Sequence, residues 1–354
     1  MWFHLGVRLS EFDYELPEEL IAQAPLAERD AARMLSVDRA RGEWRDGAFA
    51  ELPDLLRAGD VLVVNNTRVF PARLVGARVP TGGRVELFLL EELEPLVWTA
   101  LARPARRLHA GARLAFGDGR LRAEVLTEHE DGRRTVRFVC ASDFDALLEE
   151  TGRTPLPPYI KRADDDAAAR ADRERYQTVY ARARGAIAAP TAGLHFTPRV
   201  LERLRARGVA LVELTLHVGY GTFAPVRVED LSQHSVAPER YEINAAAAAA
   251  LNEARGAGRR VVAVGTTSVR ALEAATDEAT GRVRAGAGVA RLTITPGYRF
   301  KTVGALVTNF HLPRSSLLVL VAAFAGRDLT LAAYRHAVAA RYRFYSYGDC
   351  MLIV

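Results

Sequence analysis

The stretch RRVVAVGTTSVRALEAA, Arg259 to Ala275, decides the fold: an apolar run, a glycine turn carrying three hydroxyls, and a helix-patterned segment. Strand Arg260 to Val264 leads into helix Val269 to Ala275, and similar alternation surrounds it. It comprises strand Ile187 to Ala189, helix Pro198 to Arg207, strand Val209 to Val218 and helix Ala245 to Ala254. Helices Ser315 to Ala325 and Leu329 to Tyr342 follow. Such alternation predicts a three-layer α/β domain with a mainly parallel sheet covered by helices. Thr197-Pro198 and Asn244 are helix-start signals, and Gly326 is a helix-stop signal.

Upstream the pattern changes. PARLVGARV, GRVELFLL, VWTALAR, ARLAF, LRAEVLTE and RTVRFVC are short alternating segments separated by turns such as Thr81-Gly82-Gly83 and Asp131-Gly132. About six strands without an intervening helix predict a small antiparallel β-barrel. A helix over Asp143 to Glu150 and the proline-rich GRTPLPPYIKR then lead back to the α/β part. The division expected is a discontinuous α/β domain, residues 1–69 and 151–354, with an inserted barrel domain at 70–150. The charged stretch ADDDAAARADRERYQ is expected to be a solvated helix or loop.

At 354 residues, with 49% hydrophobic and 26% charged residues, the chain has the composition of a globular protein. A net charge of +5 permits a nucleic-acid partner and equally fits a small-molecule enzyme. Cys140 and Cys350 match no metal or redox spacing. The N-terminal segment lacks a signal-peptide pattern, and the longest strongly apolar run, Leu317 to Ala325, is too short for a bilayer span. A cytoplasmic protein without a membrane association is expected. Lys161 and Lys301 are the only lysines, so both are candidates for sites needing a compact ammonium, with chance survival as the alternative.

Four turns promise a single site. GAIAAPTAGLHFT places Thr191, Gly193 and His195 just before a helix; HVGYGTF places His217, Gly219, Tyr220, Gly221 and Phe223 at a strand end. GTTSVR offers Thr266, Thr267, Ser268 and Arg270 at a helix N-terminus, suited to a carboxylate or phosphate, and TNFHLPRSS adds Asn309, His311 and Arg314. In open parallel sheets such turns meet at the strand C-termini. Capping turns and packed core histidines would leave the same traces. Pro225 stops the helix that a nucleotide-binding Gly-x-Gly loop requires, and no metal site is legible. Histidine acid–base chemistry is the simplest on offer.

Read together, FDYELPEELIAQAPLAERDAARML (Phe12 to Leu35), GDVLVVNNTRVFPARL (Gly59 to Leu74), PTAGLHFT, GTTSVR and TNFHLPRSS resemble the S-adenosylmethionine:tRNA ribosyltransferase-isomerase family of queuosine biosynthesis. The resemblance covers almost the whole chain and implies the same barrel-in-α/β fold. It departs at Asn66, where the family usually has aspartate, and at Tyr220, where leucine is common. The segment Gly281 to Leu292 matches poorly and is expected to carry little function.

The resemblance implies that S-adenosylmethionine is a cosubstrate serving as ribosyl donor. The acceptor would be 7-aminomethyl-7-deazaguanine at the wobble position of a tRNA, and the products epoxyqueuosine-tRNA, adenine and methionine. No bound cofactor or metal is implied, and a monomer is expected. His195, His217 and His311 are the expected catalytic residues, with their individual steps open. Thr191, Gly193, Gly219, Tyr220, Gly221, Phe223, Thr266, Thr267, Ser268, Arg270, Asn309 and Asn66 are expected to bind S-adenosylmethionine or the modified base. Arg68, Lys161, Arg162, Lys301 and Arg314 are expected to contact tRNA. An RNA methyltransferase and a non-catalytic RNA-binding protein are the rival readings.

Overall fold

The computed structural model describes residues 6–162, 166–223 and 225–354. Ahead of the barrel come β1 (Arg33–Asp38), β2 (Glu43–Ala48), the short α1 (Leu52–Leu55), β3 (Val61–Asn65) and β4 (Thr67–Val69). The barrel strands are β5 (Arg73–Val79), β6 (Arg84–Glu94), β7 (Val97–Arg103), β8 (Arg113–Phe116), β9 (Leu121–Glu128) and β10 (Arg133–Cys140). After them come α2 (Phe144–Thr151), α3 (Asp166–Arg175), β11 (Ala183–Ala186), α4 (Pro198–Ala206), β12 (Ala210–Leu216) and β13 (Glu239–Ile243). The chain ends with α5 (Ala245–Gly256), β14 (Val261–Val264), α6 (Thr266–Ala275), β15 (Gly286–Ala290), β16 (Ala305–Asn309), α7 (Ser316–Ala325), α8 (Arg327–Ala339) and β17 (Cys350–Ile353).

Among the described residues, nine strands form one sheet in the order β15-β13-β12-β3-β14-β16-β17-β1-β2. The parallel core expected from strand–helix alternation is present: β12, β3, β14 and β16 run parallel to one another. The flanks change direction, since β13 lies antiparallel to β12, β17 to β16 and β2 to β1. The sheet is therefore mixed as a whole. Central strands β3, β14 and β16 are buried at every position, the pattern of strands covered on both faces. One face packs Leu251, Leu272, Leu318 and Val321 against the sheet; the other packs Phe49, Leu52, Val200 and Leu204.

The inserted domain is a closed barrel in the order β10-β7-β6-β5-β8-β9. Strict alternation in β9 and β10 turns Ala123, Val125, Val136 and Phe138 inward, and Phe144 and Leu148 of α2 cover one end. Closure leaves no sheet edge open. Where the chain enters and leaves this domain it is clamped: β4 pairs in parallel with β11, and Arg73 and Arg153 exchange backbone hydrogen bonds of 3.2 and 2.8 Å.

Helix starts follow the sequence signals. Thr197 Oγ1 accepts from the Val200 amide, Asn244 Oδ1 from Ala247 and Ser315 Oγ from Leu318. Helix α3 is anchored more firmly than its charged sequence suggests, because Asp172 is buried and accepts two hydrogen bonds from Arg162. Among the described residues, no single helix is long and apolar enough to cross a membrane; α7 and α8 satisfy length and composition together but bend by 116° between them.

Candidate active site

Parallel strands β14 and β16 end side by side, so the turns after them share one cleft. After β14, Gly265 adopts φ +85°, a conformation open to glycine, and starts α6 without a side-chain cap. β16 itself ends on Asn309, and His311 follows two residues later. The 3₁₀ turn Thr191–His195 closes over both. The cleft is lined by Thr191, Thr266, Thr267, Asn309 and His311, joined by Tyr159 and Tyr345.

Asn309 organises the cleft. Its Oδ1 accepts from Thr191 Oγ1 at 2.9 Å, while its Nδ2 donates to the Tyr345 carbonyl and to His195 Nε2, both at 3.2 Å. This arrangement makes Nε2 of His195 an acceptor, hence a neutral ring protonated on Nδ1. Burial, then the charges of Arg29 and Arg343, push the His195 pKa down to about 4. His195 itself lines a neighbouring recess with Arg29 and Leu194, reaching the cleft through Asn309. His311 faces the cleft directly; its Nε2 lies 2.8 Å from Thr308 Oγ1, and burial pushes its pKa down to about 3.

Gly193 allows the turn to seat. A Cβ there would lie 2.2 Å from the Tyr180 hydroxyl and 2.8 Å from Thr178 Cγ2, so this backbone packs directly against the Tyr176–Tyr180 segment.

Three of the four expected turns thus line one cleft, and HVGYGTF does not. His217 is half-buried elsewhere, its Nδ1 2.9 Å from Thr67 Oγ1 and its ring against Gly185, with its pKa lowered by desolvation and by Arg240. Gly219 donates its amide to Glu239, and Gly221 packs against Ala237. Tyr220 lies 43% exposed in a second cleft between barrel and α/β domain, edge-on to Phe88 with centroids 5.8 Å apart. That cleft, of ≈ 550 Å³, also receives Arg73, Arg103 and Arg162. Phe223 ends a short 3₁₀ turn, and its side chain lies outside the described residues.

Two members of GTTSVR are engaged inside the fold. Ser268 Oγ donates to the Val264 carbonyl one turn back. Arg270, 5% exposed, pairs with buried Glu239 and donates to the carbonyls of Ala237, Ala290 and Leu292. The segment Gly281 to Leu292, expected to carry little function, supplies two of those acceptors. Asn66 is buried too, donating to Glu213 Oε2 at 2.9 Å and accepting from Thr215 at 2.7 Å.

Of the expected tRNA contacts, Lys161 pairs with Glu18, Arg162 with Asp172 and Arg314 with Glu229. Lys301 is held by backbone, its amide donating to Glu273 and its carbonyl accepting from Arg255. Arg68 is exposed on β4. Sequence reasoning missed Tyr159, Tyr345 and Ser346, which line the cleft and meet one another, with a Tyr159–Ser346 hydroxyl contact. The signal for Tyr345 and Ser346 was the dense aromatic run Tyr342 to Tyr347. Among the described residues, no three His, Cys, Asp or Glu side chains gather to hold a metal.

A family model described as a queuosine biosynthesis protein matches residues 9–353. Curated relatives named S-adenosylmethionine:tRNA ribosyltransferase-isomerase, from Syntrophotalea carbinolica and Symbiobacterium thermophilum, are each 53% identical over 98% of this chain and 100% of their own. A third so named, from Solibacter usitatus, is 52% identical over the same shares. The crystal structure of S-adenosylmethionine tRNA ribosyltransferase from Thermotoga maritima superposes with a TM-score of 0.55 at 38% identity, covering 98% of this chain and all of that one.

Proposed function

The chain belongs to the queuosine biosynthesis protein family, and from that premise we propose that it is the enzyme its relatives are named for. It transfers the ribosyl group of S-adenosylmethionine to tRNA and isomerises it. The acceptor is 7-aminomethyl-7-deazaguanine at the wobble position, and the products are epoxyqueuosine-tRNA, adenine and methionine. The observation that carries the site's placement is the convergence of Thr191, Thr266, Thr267, Asn309 and His311 in one cleft at the C-terminal ends of β14 and β16.

S-adenosylmethionine binds in that cleft, its carboxylate at the uncapped N-terminus of α6, where Thr266 adds a hydroxyl. Its sulfonium acidifies the adjacent 5′ carbon. Loss of a proton there gives an ylide that expels adenine and opens the ribose; the aminomethyl nitrogen then attacks, and a sugar hydroxyl displaces methionine to close the epoxide. His311 is the base, since it faces the cleft and burial keeps it unprotonated at neutral pH. The weak basicity that burial imposes is met by the acidity the sulfonium confers. His195 is a positioning residue, acting through Asn309.

The tRNA approaches from the side of the barrel. Tyr220, exposed in the interdomain cleft beside Phe88 and Arg103, offers a stacking face for an unpaired anticodon-loop base, and Arg68 a phosphate contact. The chemistry calls for no metal and no bound cofactor, and a single cytoplasmic copy of the chain, free of any membrane, suffices.

Pure protein is to be mixed with S-adenosylmethionine and a tRNA carrying the aminomethyl base, followed by mass spectrometry of released adenine and digested nucleosides. Adenine with an epoxycyclopentyl nucleoside is the expected result. S-adenosylhomocysteine in place of adenine would mean methyl transfer, and bound tRNA with no product would mean a binding protein.

A further inference from the structure

The Thr266–Thr267 turn has a second side. Behind it opens a narrow recess, sharing Thr266, Thr267 and Leu317 with the cleft. Its walls are aliphatic: Val236, Leu292, Ile294 and Leu320. Two polar atoms are buried there without a hydrogen-bond partner. One is Oγ1 of Thr267, a residue only 9% exposed, and the other is Nε2 of His234. Buried polar atoms are nearly always paired, so two orphans on residues that line one space are contacts a ligand there would complete.

The charge of the recess limits that ligand. Arg270 and Glu239 both line it, but they neutralise each other, and the remaining donors of Arg270 are used on backbone carbonyls. His234 is kept neutral by desolvation. An ammonium, carboxylate or sulfonium entering here would lose its hydration and gain no counter-charge. Gly265, which marks the open end of α6, lines the cleft and not the recess, so the anion-seeking helix end points the other way. S-adenosylmethionine has one uncharged portion that is flat and bears adjacent hydrogen-bond donors and acceptors, its adenine.

We propose that this recess seats the adenine of S-adenosylmethionine, with its faces between the aliphatic walls and its polar edge read by Thr267 Oγ1 and His234 Nε2. The ionic portions of the cosubstrate then occupy the cleft on the other side of Thr266. The inference rests on the reading of S-adenosylmethionine as donor, and it adds a residue, His234, that the motifs did not single out. It also predicts that the free base adenine, the first product to leave, is itself a ligand.

Adenine is therefore the probe, titrated calorimetrically into the full chain. The wild type is expected to bind adenine in preference to purine, which lacks the exocyclic amine. Thr267→Val and His234→Phe are each expected to weaken adenine binding about tenfold and abolish that preference, the size of one well-made hydrogen bond. Methionine affinity should stay unchanged in His234→Phe, whose side chain lines the recess and not the cleft, and Thr267→Ser should restore adenine binding. Unchanged melting temperatures confirm intact folding; variants that fail to fold are replaced by Thr267→Ala and His234→Gln, for which the same losses are expected. The proposal is overturned if adenine does not bind the wild type at millimolar concentration, or if it binds the variants as tightly as the wild type. Loss of methionine or 7-aminomethyl-7-deazaguanine binding instead would overturn it too. Wild-type turnover that releases adenine while the variants bind adenine normally sinks only this inference; wild type that releases none sinks the reading on which it rests.

Discussion

Removing the charge of Glu239 tests whether Arg270 is a structural strut. Both side chains are almost fully buried, at 4% and 5% exposure, and the guanidinium holds β13, β15 and the segment after β15 at Leu292 together through one carboxylate and three carbonyls. Glu239→Gln leaves a buried cation without its counter-ion, a change worth about 3–5 kcal/mol of stability. Arg270→Met leaves the buried carboxylate without its counter-ion and takes a donor from three carbonyls, a loss of similar or larger size. Arg270→Lys should rescue little, because an ammonium has three donors and cannot span the same fork. In the double variant neither charge remains, so its loss should fall short of the sum of the single losses by about 2–3 kcal/mol. Urea denaturation followed by circular dichroism measures the wild type and all four variants. Additive losses, or a Glu239→Gln loss below about 1 kcal/mol, would refute the strut and return Arg270 to the list of residues free to meet a ligand.

Acid should destabilise the protein through its buried histidines. Burial lowers the His195 pKa from 6.5 to about 4, so as pH falls below about 6.5 the unfolded chain binds the proton first. Stability should then drop by roughly 3 kcal/mol until the folded state protonates near pH 4, and His195→Gln should flatten this limb in a series of pH-dependent melts. Gly193→Ala drives a Cβ into the Tyr180 hydroxyl; a loss of about 1–3 kcal/mol with reduced turnover is expected, and an unchanged melting temperature would contradict the close packing. Asn66→Asp sets a carboxylate beside Glu213, where the amide now donates at 2.9 Å. The variant should be less stable at pH 8 than the wild type and recover toward pH 5 as the pair shares a proton, a crossover that thermal melts would detect.

The sequence disclosed what local chemistry determines. Thr197, Asn244 and Ser315 cap helices in the structure as their residue types require, and the alternation of LRAEVLTE and RTVRFVC suffices to expect barrel strands. The turns at Thr191, Thr266 and Asn309 were legible because strand, turn and helix signals coincide there. What was hidden depended on distant partners. Nothing in HVGYGTF shows that β13 lies antiparallel beside β12 and that its turn lines no part of the cleft, and nothing in GTTSVR shows that Arg270 meets Glu239 across a sheet edge. His234 sits in an unpatterned segment, and its relevance depends on Thr267, 33 residues away in sequence. Tyr345 and Ser346 reach the cleft because β17 returns beside β16, a crossing no local pattern encodes.

The clamp at the base of the barrel bears on how the chain folds. Because Arg73 and Arg153 form an antiparallel bridge, the folded barrel leaves the α/β domain where it entered, as a hairpin turn would. While the barrel is unfolded, β3 and the strands that follow it are joined by a flexible loop of roughly 80 residues, whose closure costs about 4 kcal/mol from its length alone. Once the barrel has formed, that loop is short and the penalty has already been met inside the barrel. The barrel is thus in a position to fold first and to speed assembly of the sheet around it. Replacing residues 74–152 by a two-residue turn should preserve a sheet that folds faster than the full-length chain with an unfolded barrel, a difference stopped-flow fluorescence would resolve.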